Sequence, residues 1–209
     1  MGGSTVKSFI AGLADATMTV NGFFYSGAGD VEAVLANYRT GGSGTELTVC
    51  PEGVADGSPC YHLRDALCTN VTTSANLTSA VALNHTWQAD GGSARLLVLY
   101  EASPTASADG AGVDFGSVGV AGSGEAVIHC TSVTGAGTID VKLQESSDNG
   151  VGDAWADIAD AEFTQLDAIG SERITWSGAA EQYVRAVITI AGFTGCTLFV
   201  AAKTGGTNA

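Results

Sequence analysis

The chain has 209 residues, room for one large β domain or two small ones. Its 29 glycines, 3 prolines and 45% apolar content suit a folded, turn-rich protein and exclude disorder as the main state. Eight Lys and Arg against 22 acids leave a net charge of −14, which excludes a binder that neutralises a run of nucleic-acid phosphates.

No stretch approaches the roughly 18 uncharged apolar residues of a membrane span. Met1–Lys7 carries one cation and no long apolar core, so it does not read as a signal peptide. Gly2 invites a myristoylation reading, but Val6 stands where that motif needs Ser or Thr. The expectation is a soluble protein made in a cytoplasm.

In chain order, a Phe9–Asp15 segment leads into a predicted strand over 17–25. There Thr17, Thr19 and Asn21 alternate with Met18, Val20 and Gly22, the period of a half-buried strand. Ser26-Gly27-Ala28-Gly29 breaks it. A helix is predicted from Asp30 to Arg39, with Val31, Val34, Leu35 and Tyr38 on one stripe. Asp30 suits its N-cap, Glu32 complements the dipole and Gly41-Gly42 ends it. Strands follow at Glu46–Cys50, Cys60–Arg64, Leu77–Trp87 and Arg95–Glu101, separated by turn-rich runs at 51–59 and 88–92.

Residues 103–112 show no apolar periodicity and read as a linker. The domain expectation is therefore a β domain over 1–102, the linker, and a second β module over 113–209. In that second half, strands are predicted at Glu125–Thr131, Thr138–Glu145, Glu172–Trp176, Gln182–Ile190 and Thr197–Ala202, with a turn at Ser146–Gly150. Ala161–Leu166 reads either as a short helix or as a strand. The spacing argues for an antiparallel sandwich or jelly roll, and the two halves do not align as a repeat.

The search for chemistry begins with five cysteines: Cys50, Cys60, Cys68, Cys130 and Cys196. An odd number spread this widely makes a poor disulfide framework. Cys60, His62 and Cys68 invite a metal reading, but zinc ligands come as pairs with two to four residues between them, and no such pair exists. Buried free thiols are expected. His129 beside Cys130 cannot form a nucleophile–base pair, because adjacent strand residues point to opposite faces. Gly42-Ser43-Gly44 and Gly122-Ser123-Gly124 lack the lysine of a phosphate loop. Asp148, Asp153, Asp157 and Asp160 miss the EF-hand spacing and read as solvated acids. Sequons at Asn70, Asn76 and Asn84 matter only in a secreted protein. No catalytic residue, cofactor or metal ligand is assigned, and an enzyme is not expected.

The segment Phe9-Ile10-Ala11-Gly12-Leu13-Ala14-Asp15-Ala16-Thr17-Met18-Thr19-Val20-Asn21-Gly22-Phe23-Phe24 resembles the opening of the tail tube (major tail) proteins of long-tailed bacteriophages. The helix Asp30–Arg39 and the turn Gln88-Ala89-Asp90-Gly91 match later parts of the same pattern, so the likeness covers residues 5–101. Val141–Asp148 followed by Trp155-Ala156-Asp157, and Tyr183-Val184-Arg185-Ala186, look like a β module common in phage structural proteins. The resemblance implies a mainly β protein: an antiparallel sandwich or barrel of tail-tube type with one short helix, then a second sandwich-like half. It implies a structural virion protein made in a host bacterial cytoplasm and built into the tail. Its partners would be its own copies, in hexameric rings stacked into a tube, and other tail proteins. DNA would pass through the lumen without specific binding, and no membrane is implied. A wall rich in acids repels phosphates over a range of about 8–10 Å. Two other readings stand beside it: a capsid decoration or tail accessory protein, and a carbohydrate-binding β module of an adhesion protein using Trp87, Trp155 and Trp176 as a platform.

Overall fold

The structure, a computed structural model, describes residues 16–23, 45–74, 82–116 and 122–205. Among these the chain is mainly β, in antiparallel sheets, with thirteen strands and no helix. They are β1 (Thr17–Phe23), β2 (Thr45–Val49), β3 (Pro59–Ser74), β4 (Ala82–Ala89), β5 (Ser93–Ala102), β6 (Ala108–Asp109) and β7 (Val113–Asp114). Then follow β8 (Ser123–Thr134), β9 (Thr138–Ser146), β10 (Ala156–Glu162), β11 (Gly170–Ser177), β12 (Tyr183–Ala191) and β13 (Gly195–Lys203). The helix expected at Asp30–Arg39, the Phe9–Asp15 segment, the Ser26–Gly29 turn and the first residues of the Leu77–Trp87 strand lie outside the described residues.

Contacts divide the chain into two compact units, Met1–Leu47 with Leu63–Ala94, and Thr48–His62 with Arg95–Ala209. In the first unit β4 lies between β1 and β3. β1 pairs with β4 from Thr17↔Gln88 to Phe23↔Ala82. The period-2 pattern is realised: Thr17 and Thr19 are exposed, while Met18 packs on a core of Leu63, Ala66, Trp87 and Ala89. β3 is far longer than the predicted Cys60–Arg64. Asp65 sits at φ 49°, and the β3–β4 register shifts between Cys68 and Asn70. These irregularities break the alternation that would otherwise have marked the strand.

The second unit carries two sheets that share one core. β11, β8, β13 and β5 are neighbours in one; β10, β9, β12 and β6 are neighbours in the other, where β7 also pairs with β12. Strict alternation sends Ile139, Val141 and Leu143 of β9, and Val184, Ala186 and Ile188 of β12, into that core. Ala126, Ile128 and Cys130 of β8 and Cys196, Leu198, Val200 and Ala202 of β13 meet them from the other sheet. Burying each larger side chain is worth about 1.5–3 kcal/mol, so this interior supplies most of the unit's driving force.

Inside the 103–112 segment, Ala108 and Asp109 pair with Ile188 and Val187 of β12, and the Gly110 N–H donates to the Ala186 carbonyl at 2.8 Å. β10 has no counterpart among the predicted strands. Its two inward residues, Ile158 and Ala161, are three apart because Asp160 takes φ 61° and the β10–β9 register shifts there. Of the Ala161–Leu166 segment, Ala161 and Glu162 close β10, while Leu166 forms a bridge to Ile139.

Candidate functional site

The sheet β11–β8–β13–β5 has a second face, and the second unit's polar chemistry gathers there. On β8 the alternation that turns Ile128 and Cys130 to the core turns Glu125, Val127 and His129 the other way. His129 and Cys130 therefore do point to opposite faces. Ser171 lies opposite His129 in the β11–β8 register, and its hydroxyl stands 2.8 Å from His129 Nδ1. His129 Nε2 is 2.8 Å from Thr48 Oγ1, which is also 3.0 Å from Nδ1 of the fully buried His62. Phe199, opposite His129 on β13, places its ring 5.8 Å away.

A hydroxyl carries one hydrogen, so Thr48 donates to at most one of its two ring nitrogens and must accept from the other. The tautomers of His62 and His129 are thereby coupled. The order Ser171, His129, Thr48 is that of a hydroxyl, a base and an orienting group. Its polar atoms are directed at one another, so the chain ties β8 and β11 to Thr48 and His62. On the same face Lys203 Nζ lies 3.2 Å from Glu125 Oε2, with the Glu125 side chain only 4% exposed.

The other predicted candidates go to separate places. Cys60, Cys130 and Cys196 are buried free thiols, while Cys50 and Cys68 are half-buried. Burial pushes the Cys130 and Cys196 thiols up, and Cys60 up to about 12. His62 is turned to Thr48, and Cys68 packs with Trp87 in the first unit. Asp148 and Asp153 form the frame of the turn after β9. The Asp148 carboxylate accepts from the N–H groups of Val151, Gly152 and Asp153, which hold it below the usual carboxylate range. Asp153 accepts from the Ser147 N–H and hydroxyl and is lowered likewise. Glu181 shifts upward because it shares a hydrogen bond with Asp153 and faces its charge. Asp157 is occupied by Lys142 at 2.7 Å and by Gln144 at 2.8 Å. No group of three or more His, Cys, Asp or Glu able to hold a metal occurs among the described residues. No helix among them is long and apolar enough to cross a membrane.

Trp87 is buried in the core of the first unit and Trp176 in that of the second. Trp155 lies under the Arg185 guanidinium, 4.6 Å from its ring centre. In Gly122-Ser123-Gly124, Gly124 makes room for the Trp176 ring, which a Cβ there would overlap. Sequence reasoning weighed His129 with its neighbour Cys130 and missed Ser171 and Thr48. Those partners lie 42 and 81 residues away, and strand register alone brings them to His129. Comparison with known protein families, curated proteins and solved structures finds no match to this chain.

Proposed function

We propose that this chain is a structural virion protein, a tail tube subunit that assembles with its own copies into stacked hexameric rings around a channel for DNA. The observation that carries the reading is the relation between the two sequence segments that resemble that family. The strand with Thr19-Val20-Asn21-Gly22-Phe23 pairs directly with the strand that ends in Gln88-Ala89, in continuous register from Thr17↔Gln88 to Phe23↔Ala82. Among the described residues β1 has a strand neighbour on one side only, and its Thr17 and Thr19 side chains face solvent. A strand edge of this kind offers unpaired backbone groups to another chain, and ring symmetry is a way to pair every such edge.

The acid excess supports the same reading, since a lumen wall with net negative charge lets DNA pass without holding it. The polar cluster around His129 serves as a strand tie in this account, and no residue is assigned a catalytic role. Sedimentation velocity over a concentration series tests the reading. It expects species of ring size or larger that grow with protein concentration. A single monomeric species at every concentration would overturn it.

A further inference from the structure

Cys50 directly follows β2 and Cys60 lies at the start of β3, to which β2 is hydrogen-bonded. The Thr48 hydroxyl lies 3.0 Å from His62 Nδ1, so these two side chains meet on one face of the paired strands, and we read them as opposed. In an antiparallel pair, stepping two residues along each strand toward the connecting loop gives the next pair on the same face. That step places Cys50 opposite Cys60. The two thiols are near enough for each to shift the other's ionisation. Directly opposed residues hold their Cβ atoms about 4.5–5.5 Å apart, and a disulfide needs about 3.5–4.5 Å, so a small adjustment closes the gap.

The pair stands at the base of an exposed loop. Pro51 to Gly57 are all exposed, with Gly53 and Gly57 in the left-handed region at φ 95° and 82°. By contrast Cys60 is completely buried. The other buried cysteines are not so placed: Cys130 opposes Leu198 and Cys196 opposes Val133.

We propose that Cys50 and Cys60 form a disulfide that clamps the base of the 51–59 loop when the protein moves from reducing to oxidising surroundings. Cys50, the more accessible thiol, reacts first. Its thiolate attacks one sulfur of a small disulfide such as oxidised glutathione, the S–S bond breaks, and one glutathione leaves as thiolate. Deprotonated Cys60 then attacks the Cys50 sulfur, and the second glutathione leaves. Two electrons and two thiol protons pass from the protein, and two glutathione thiols are produced. Burial and the adjacent Cys50 oppose ionisation of Cys60, while the Arg95 charge favours it, so the second step quickens as pH rises. The inference stands on the hairpin alone and does not depend on the tail tube reading.

The test uses the full folded chain, incubated with oxidised or reduced glutathione, then unfolded, alkylated and cut with trypsin. Cleavage after Arg39 and Arg64 releases residues 40–64, which hold Cys50 and Cys60 and no other cysteine. After oxidised glutathione this peptide is expected without alkyl groups and short of two hydrogens; after reduced glutathione it carries two alkyl groups. Cys60→Ser is expected to stop at the mixed disulfide on Cys50. Two alkylated thiols in the wild-type peptide after oxidation would overturn the proposal. So would a bond from either cysteine to Cys68, Cys130, Cys196 or a second chain. The wild-type comparison decides the matter even if a variant fails to fold.

Discussion

The sheet formed by β11, β8, β13 and β5 buries residues on both faces, by opposite means. One face is apolar: Ile128, Leu198, Val200 and Leu99 meet the side chains of β9 and β12. On the other, Val127, Ala201, Leu96 and Val98 are just as buried, yet they share the face with His62, His129, Glu125 and Lys203. The first face gains free energy in proportion to area removed from water. The second gains only if each polar group finds its partner, since an unpaired buried group costs about 1–3 kcal/mol. Damage to the apolar face should therefore scale with volume lost. Damage to the polar face should depend on which partner is left behind.

The largest effect is expected on the apolar face. Ile128→Ala removes a fully buried side chain and should cost about 2–5 kcal/mol, read as a lower denaturant midpoint with an unchanged slope. On the polar face, Glu125→Ala strands the Lys203 ammonium. Because that lysine is one-third exposed, the cost should fall to about 2 kcal/mol, below that of a fully buried pair. A double-mutant cycle with Lys203→Ala should return a coupling energy; additivity would show that the pair contributes nothing. Thr48→Val keeps the shape and deletes the hydroxyl between two imidazoles, for about 1–3 kcal/mol, and Thr48→Ser should restore most of it. A loss for Ser with none for Val would mean that shape, not the hydrogen bonds, holds that position.

A smaller effect is expected from pH at the turn after β9, where the sign differs between neighbours. Asp148 and Asp153 are lowered by N–H donors, so their support is complete above the usual aspartate range and lost as pH falls through their lowered values. Glu181 is raised, so its protonated form favours the fold, and that contribution is lost as pH rises through its raised value. Thermal stability of the wild type should thus rise slightly on mild acidification and then fall. Glu181→Gln should flatten the rise alone; an unchanged profile would break the assignment. Chelator should leave stability and assembly unaltered, because backbone and hydroxyl donors already fill the Asp148 and Asp153 carboxylates.

The same contrast explains what could be read in the sequence. β8, β9, β12 and β13 alternate cleanly, so Glu125–Thr131, Thr138–Glu145, Gln182–Ile190 and Thr197–Ala202 fall within the observed strands, except for Gln182, one residue before β12. β10 was hidden by the left-handed Asp160, which sets its inward residues three apart, and the length of β3 by its bulge and its run of polar residues. The polar cluster was not legible at all. Ser, Thr and His carry no periodic signal, and their meeting depends on which strands pair and in what register. The pairing of β2 with β3, which brings Thr48 to His62 and on which the Cys50–Cys60 proposal rests, is of the same kind. The predicted helix at Asp30–Arg39 falls outside the described residues and has no part in this comparison.

The central claim is that the chain is a building block that pairs with copies of itself. Negative-stain electron microscopy of the purified protein over a concentration series tests it most directly. The account predicts rings, or tubes of stacked rings, with an axial hole wide enough for a DNA duplex. Dispersed particles of monomer size at every concentration would contradict it.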